Sequence, residues 1–146
     1  MSQAGEVTDF TDIGVEFLLL CDGAQVVGGK LYVLGGAWDR LQFPSYPQTY
    51  PMGLAFGVRV PWTESNRAHT FAIRGVNADG DAELFKAEGQ FEVGRPPGTP
   101  RGMSQLFQVA LQVPLPVPAP GSYAIEAVLD DGKARRVTPY FAVQVP

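Results

Sequence analysis

His69 is the only histidine of this 146-residue chain, and Cys21 is its only cysteine. Any histidine-based acid, base or triad must therefore use one residue. A hydrolase or isomerase built on His69 would call on Arg74 or Asp39 as helpers, but no G-x-S-x-G elbow supplies a matching nucleophile. His69 shares a strand face with Phe71 and Ile73, which predicts a satisfied or rim-exposed ring rather than a catalytic one. Cys21 ends the apolar run Phe17-Leu18-Leu19-Leu20-Cys21, with no base or electropositive setting beside it. It reads as a small buried hydrophobe. One histidine and one cysteine cannot supply the usual nitrogen and sulfur ligands of zinc.

Asn77-Ala78-Asp79-Gly80-Asp81-Ala82-Glu83 places oxygen-bearing side chains at alternate positions, and Glu88 falls twelfth counted from Asn77. That resembles a calcium loop, but the glycine is fourth rather than sixth and Glu88 lies inside a strand pattern. An Asp-Gly hairpin produces the same letters for backbone reasons. The pairs Asp22 with Asp39 and Glu126 with Asp130 show no spacing that separates acid–base work from solvated turns. No catalytic residue, metal site or cofactor is predicted.

Aromatic and basic side chains in loops remain. Residues 37–53 carry Trp38, Phe43, Tyr46 and Tyr50 among Pro44, Pro47 and Pro51, an extended stretch without a clear strand. Long loops in compact domains either bind something or fold back as a lid. A second loop holds Arg95 and Arg101 among prolines and glycines, and Trp62 follows Val60-Pro61. These seven residues, Trp38, Phe43, Tyr46, Tyr50, Trp62, Arg95 and Arg101, form the predicted interaction surface if their loops meet at one end of the fold. Trp38 and Trp62 could also stack on sugars, although core or anchoring roles suit such rings better.

The elements that must carry these loops alternate apolar with polar or small residues, the period of a β-strand. Leu54, Phe56, Val58 and Val60 make one stripe; Phe107, Val109, Leu111 and Val113 another; Tyr123, Ile125, Ala127 and Leu129 a third. Eight strands are predicted, near 14–21, 26–35, 53–60, 68–76, 83–93, 105–113, 122–129 and 135–145, with at most a short helical turn near 38–42 or 62–66. Gly28-Gly29 and Gly35-Gly36 read as bulges or close approaches. Prolines from Pro114 to Pro120 place that segment at an edge or in a crossover. The expected fold is all-β, a two-sheet antiparallel β-sandwich of immunoglobulin-like or jelly-roll kind, with a closed barrel second.

Residues 1–12 are expected to form a flexible N-terminal arm anchored by Phe10, and 13–146 a single domain. The formal net charge of −4 comes without a basic stripe, which argues against nucleic acid. The first apolar run is too short for a signal segment or membrane span, so a complete cytoplasmic chain is expected.

Leu20-Cys21-Asp22-Gly23-Ala24-Gln25-Val26-Val27-Gly28-Gly29-Lys30-Leu31-Tyr32-Val33-Leu34-Gly35-Gly36-Ala37-Trp38-Asp39 resembles the opening of an uncharacterised bacterial family typical of high-GC actinobacteria. Val60-Pro61-Trp62, Asp79-Gly80, Phe91-Glu92-Val93-Gly94-Arg95-Pro96-Pro97-Gly98 and Pro120-Gly121-Ser122-Tyr123 extend the likeness over most of the chain. The resemblance implies a compact β fold in the bacterial cytoplasm, and no activity or site residues. The expected function is a non-enzymatic interaction or assembly module with a protein partner or a second copy of itself. A small-ligand or carbohydrate-binding domain using Trp and Tyr of the 37–53 loop is the alternative.

Overall fold

A computed structural model describes residues 12–146. The expected arm and its anchor Phe10 therefore lie outside the described residues, apart from an exposed Asp12. The described chain is all-β, as the alternation predicts. Its strands are β1 (Gly14–Cys21), β2 (Gly23–Val27), β3 (Lys30–Leu34), β4 (Arg40–Phe43), β5 (Gln48–Val60), β6 (Ala68–Asn77), β7 (Glu83–Glu92), β8 (Gln105–Val117), β9 (Gly121–Leu129) and β10 (Ala134–Gln144). Short 3-10 turns occupy Trp62–Glu64 and Asp130–Gly132. No helix among the described residues is long and apolar enough to cross a membrane.

There are three sheets: β1-β5-β8, β4-β10-β9-β6-β7, and the hairpin β2-β3. Residues of the two larger sheets share one core. Leu54, Phe56 and Val58 of β5 meet Ile73, Ile125 and Leu129 of β6 and β9, and the Phe56 and Phe71 rings stand edge to face at 5.2 Å.

The strand inventory departs from expectation at three places. The stretch read as one strand over 26–35 begins earlier, as a hairpin, because Gly28 and Gly29 (φ 59° and 76°) make its two-residue turn. The 37–53 stretch holds β4 and the first residues of β5. Finally, β4 pairs with β10 in parallel, Leu41 opposite Ala142, so the five-stranded sheet is mixed rather than antiparallel.

β5 is buried on both faces, although alternation predicted one wet face. Its large residues face the core, and the intervening Gly53, Ala55 and Gly57 accept close neighbours on the other side. A Cβ at Gly57 would lie 2.2 Å from the Phe17 ring, and one at Gly53 would lie 2.9 Å from the Gly23 backbone. The period-two pattern here sorts large from small, not dry from wet.

β8 bears out the proline reading. It is an edge strand, hydrogen-bonded to β5 alone, with Pro114 opposite Pro51 and Pro116 opposite Thr49. A proline on an edge strand turns its missing N–H outward, where no ladder bond is lost.

Candidate functional site

Trp38, Phe43, Tyr46 and Tyr50 come together as a chain of rings. Trp38 meets Tyr50 edge-on at 5.6 Å, Tyr50 tilts against Phe43 at 6.2 Å, and Phe43 meets Tyr46 edge-on at 5.7 Å. All four are half-buried and pack against the core. The Tyr50 hydroxyl donates to Asp22 Oδ1 at 2.7 Å. That bond, with partial burial, raises the phenol above its ordinary range. Tyr46 donates to the Val143 carbonyl, tying the loop to the end of β10. The stretch is a packed-down lid rather than a free aromatic loop.

Trp62 and Arg95 lie elsewhere. Tyr50 and Val60 stand at opposite ends of β5, ten residues or about 33 Å apart. Trp62 follows the far end. There the Arg95 guanidinium covers the indole at 3.7 Å, and it donates to Ser65 Oγ at 2.6 Å and to the Trp62 carbonyl at 2.9 Å. Cation–π stacking and two hydrogen bonds consume this arginine and one face of Trp62. Arg101 is exposed on its loop. The seven predicted residues thus form two groups at opposite ends of the fold and do not make one surface.

His69 is 3% exposed. Its Nδ1 lies 2.8 Å from Asp130 Oδ2, and its Nε2 lies 2.8 Å from the Glu64 carbonyl oxygen. Both ring nitrogens face oxygen acceptors within the fold, so neither is turned toward a substrate. Phe91 stacks on the ring at 5.4 Å. Asp130 also accepts the Thr70 amide at 3.0 Å. Burial pushes the Asp130 carboxyl up, but the Thr70 amide and His69 together bring it below its usual range. The buried Glu64 is held down mainly by a 2.7 Å bond from Lys133, with Arg67 adding at 3.2 Å. This cluster joins the turn after β5 to β6 and the β9–β10 turn. The expected helpers are elsewhere: Arg74 binds Glu126 at 2.7 Å, and Asp39 belongs to the opposite end, where its carbonyl accepts from Phe141 N.

Cys21 is fully buried and burial raises its thiol, as expected of a core hydrophobe. The calcium-like loop is a hairpin turn closed on itself. Asn77 Oδ1 accepts the Asp81 and Ala82 amides, and Asn77 Nδ2 donates to Asp81 Oδ1.

One surface was missed by sequence reasoning. The β2–β3 hairpin exposes Val27, Tyr32 at 55% and Leu34 at 76%. These residues share the hairpin face that carries Gln25 and Lys30. The hairpin leans on β5 and β8, with Gly23 against Gly53; Leu106 and Met103 are exposed separately, near the start of β8. The neighbouring three-stranded sheet carries only Glu16 and Arg59, paired through two 2.8 Å bonds. Charge gathers on the other large sheet, at Arg74, Glu83, Lys86, Glu88, Glu92, Glu126, Arg135 and Arg136. The signal available beforehand was Val-Val-Gly-Gly between two short period-two runs, a two-residue turn rather than a bulge.

A search among curated proteins found no match. A family model matches residues 16–141, nearly the whole described domain. On that match the chain belongs to DUF6941, a family of unknown function.

Proposed function

We propose that this protein is a non-enzymatic interaction or assembly module, an immunoglobulin-like or jelly-roll sandwich working in the bacterial cytoplasm. The observation that carries the reading is the segregation of charge. A hairpin exposing Val27, Tyr32 and Leu34 beside Lys30, and a sheet whose strands carry only the Glu16–Arg59 pair, stand against a second sheet where most strand charges gather. Interface cores are depleted in charge and enriched in aromatic side chains, and contiguous apolar exposure marks contact surfaces. The groups that could do chemistry support it too, since His69, Cys21 and the buried carboxylates are committed to internal contacts. The carbohydrate alternative loses support because Arg95 covers Trp62 and the Trp38 ring is packed against Tyr50.

A photo-crosslinking amino acid placed at Leu34, and separately at Glu88, tests the reading in cells. Discrete adducts from position 34 and none from 88 are expected. Equal labelling from both, or none from either, would overturn it.

A further inference from the structure

We propose that β8 is a seam at which two copies of this chain join, by antiparallel strand pairing across a two-fold axis. The inference deepens the interaction reading and rests on it.

Among the described residues β8 is hydrogen-bonded on one side only, to β5. The prolines reveal which of its residues face the free side. Pro114 stands opposite Pro51, and neither has an N–H, so that position is a non-hydrogen-bonded one of the antiparallel ladder. Alternation then turns the N–H and C=O groups of Leu106, Gln108, Ala110 and Gln112 away from β5, onto the open edge.

The other edges of the two larger sheets are defended. β7 carries Glu83, Lys86, Glu88 and Glu92. On β1, the Leu18 carbonyl accepts the Thr138 hydroxyl at 3.2 Å and the Leu20 carbonyl accepts the Ala37 amide at 2.8 Å. β4 has four residues, one of them Arg40. Charges, short lengths and covering groups are the ordinary means of blocking edge-to-edge association. β8 has thirteen residues and no charge, and the β2–β3 hairpin that leans on it makes no ladder with it.

A second copy suits this edge for two reasons. Copies of a chain with net charge −4 repel one another, but no like charges meet at β8. The strand is also self-complementary, and its prolines set the register. The longest antiparallel overlap that keeps Pro114 and Pro116 out of donor positions puts Gln108 opposite Ala110 of the second copy and Leu106 opposite its Gln112. The exposed Leu106 side chain is covered in that arrangement, and the glutamines bring neutral amides. The product is one sheet in the order β1-β5-β8-β8-β5-β1, an isologous closed dimer.

Light scattering coupled to size exclusion, with hydrogen exchange on the full chain, tests the seam. At high micromolar concentration the mass is expected near twice 15.7 kDa. The amides of Leu106, Gln108, Ala110 and Gln112 should then gain protection with concentration. Those of Phe107, Val109 and Leu111 should be protected at every concentration by β5. Ala110→Pro removes an edge N–H without touching the β5 ladder, so it should give a folded monomer. Gln108→Lys, which sets two cations beside the axis, should do the same if the proline variant fails to fold. A monomeric wild type, or a dimer whose β8 amides ignore concentration, overturns the proposal. If crosslinks from Leu34 to a different protein persist in that case, the interaction reading survives. If they too are missing, both fall.

Discussion

Removing the His69 ring would take away the contacts that its two nitrogens make with the Asp130 carboxylate and the Glu64 carbonyl. Unsatisfied buried groups cost more than the bonds they lose, about 1–3 kcal/mol for each group. Asp130 would keep the Thr70 amide, which limits the damage on that side. His69→Ala is expected to destabilise the fold by about 2–4 kcal/mol once the cavity beside Phe91 is included. Denaturant midpoints measure this directly. A variant within a few tenths of the wild type would mean that the clasp is not structural and would reopen a chemical role for the ring. The histidine was legible in sequence as a satisfied residue, because it lay on an apolar face. Its partner was not, since Asp130 is 61 positions away and no local pattern joins the two.

Strands here are held by pairing an aromatic ring with a glycine across the ladder. Phe17 lies over Gly57, Phe71 over Gly89 and Phe85 over Gly75. At Gly57 a Cβ would sit 2.2 Å from the ring, so Gly57→Val is expected to cost about 1–3 kcal/mol by overpacking, despite the better strand propensity of valine. The Phe17→Ala, Gly57→Val double variant should recover part of that loss, and a thermodynamic cycle of melts reads the coupling. Strict additivity would show that the ring does not control the site. Such pairs also explain what sequence reading got right and wrong at this scale. Large residues at period two located β5 through β10, because only one face of each strand turns large side chains into the shared core. Gly28-Gly29 reads in sequence as a bulge or a close approach, since a turn and a bulge use the same residue for the same left-handed backbone. β4 stayed hidden because Pro44, Pro47 and Pro51 surround four residues whose parallel partner lies at the far end of the chain. The lid was foreseen as one of two outcomes for the loop, and the Tyr46 bond to Val143 is what decides between them.

Among the described residues, most strand charges lie on the five-stranded sheet, and its carboxylates dominate the response to acid. Glu126 on the charged sheet is held low first by its bond to Arg74, then by Arg135. Glu64 is held low by Lys133. In Asp130 burial opposes the charge, but the Thr70 amide and His69 prevail. Each folded-state value lies below the unfolded one, so each contribution is complete above the unfolded range and is lost as pH falls through the folded value. Thermal midpoints should therefore be little affected by these groups between pH 7 and pH 5, and should fall below about pH 4. Glu126→Gln removes one titrating group that joins β6, β9 and β10, so it should lower stability at neutral pH and flatten the acid limb. Parallel acid limbs in the two proteins would show that the arginine clamp does not couple folding to protonation. The β8 edge contains nothing that titrates. Its pairing should thus persist down to the pH at which the charged sheet itself gives way, so mass and melting should fail together rather than in sequence.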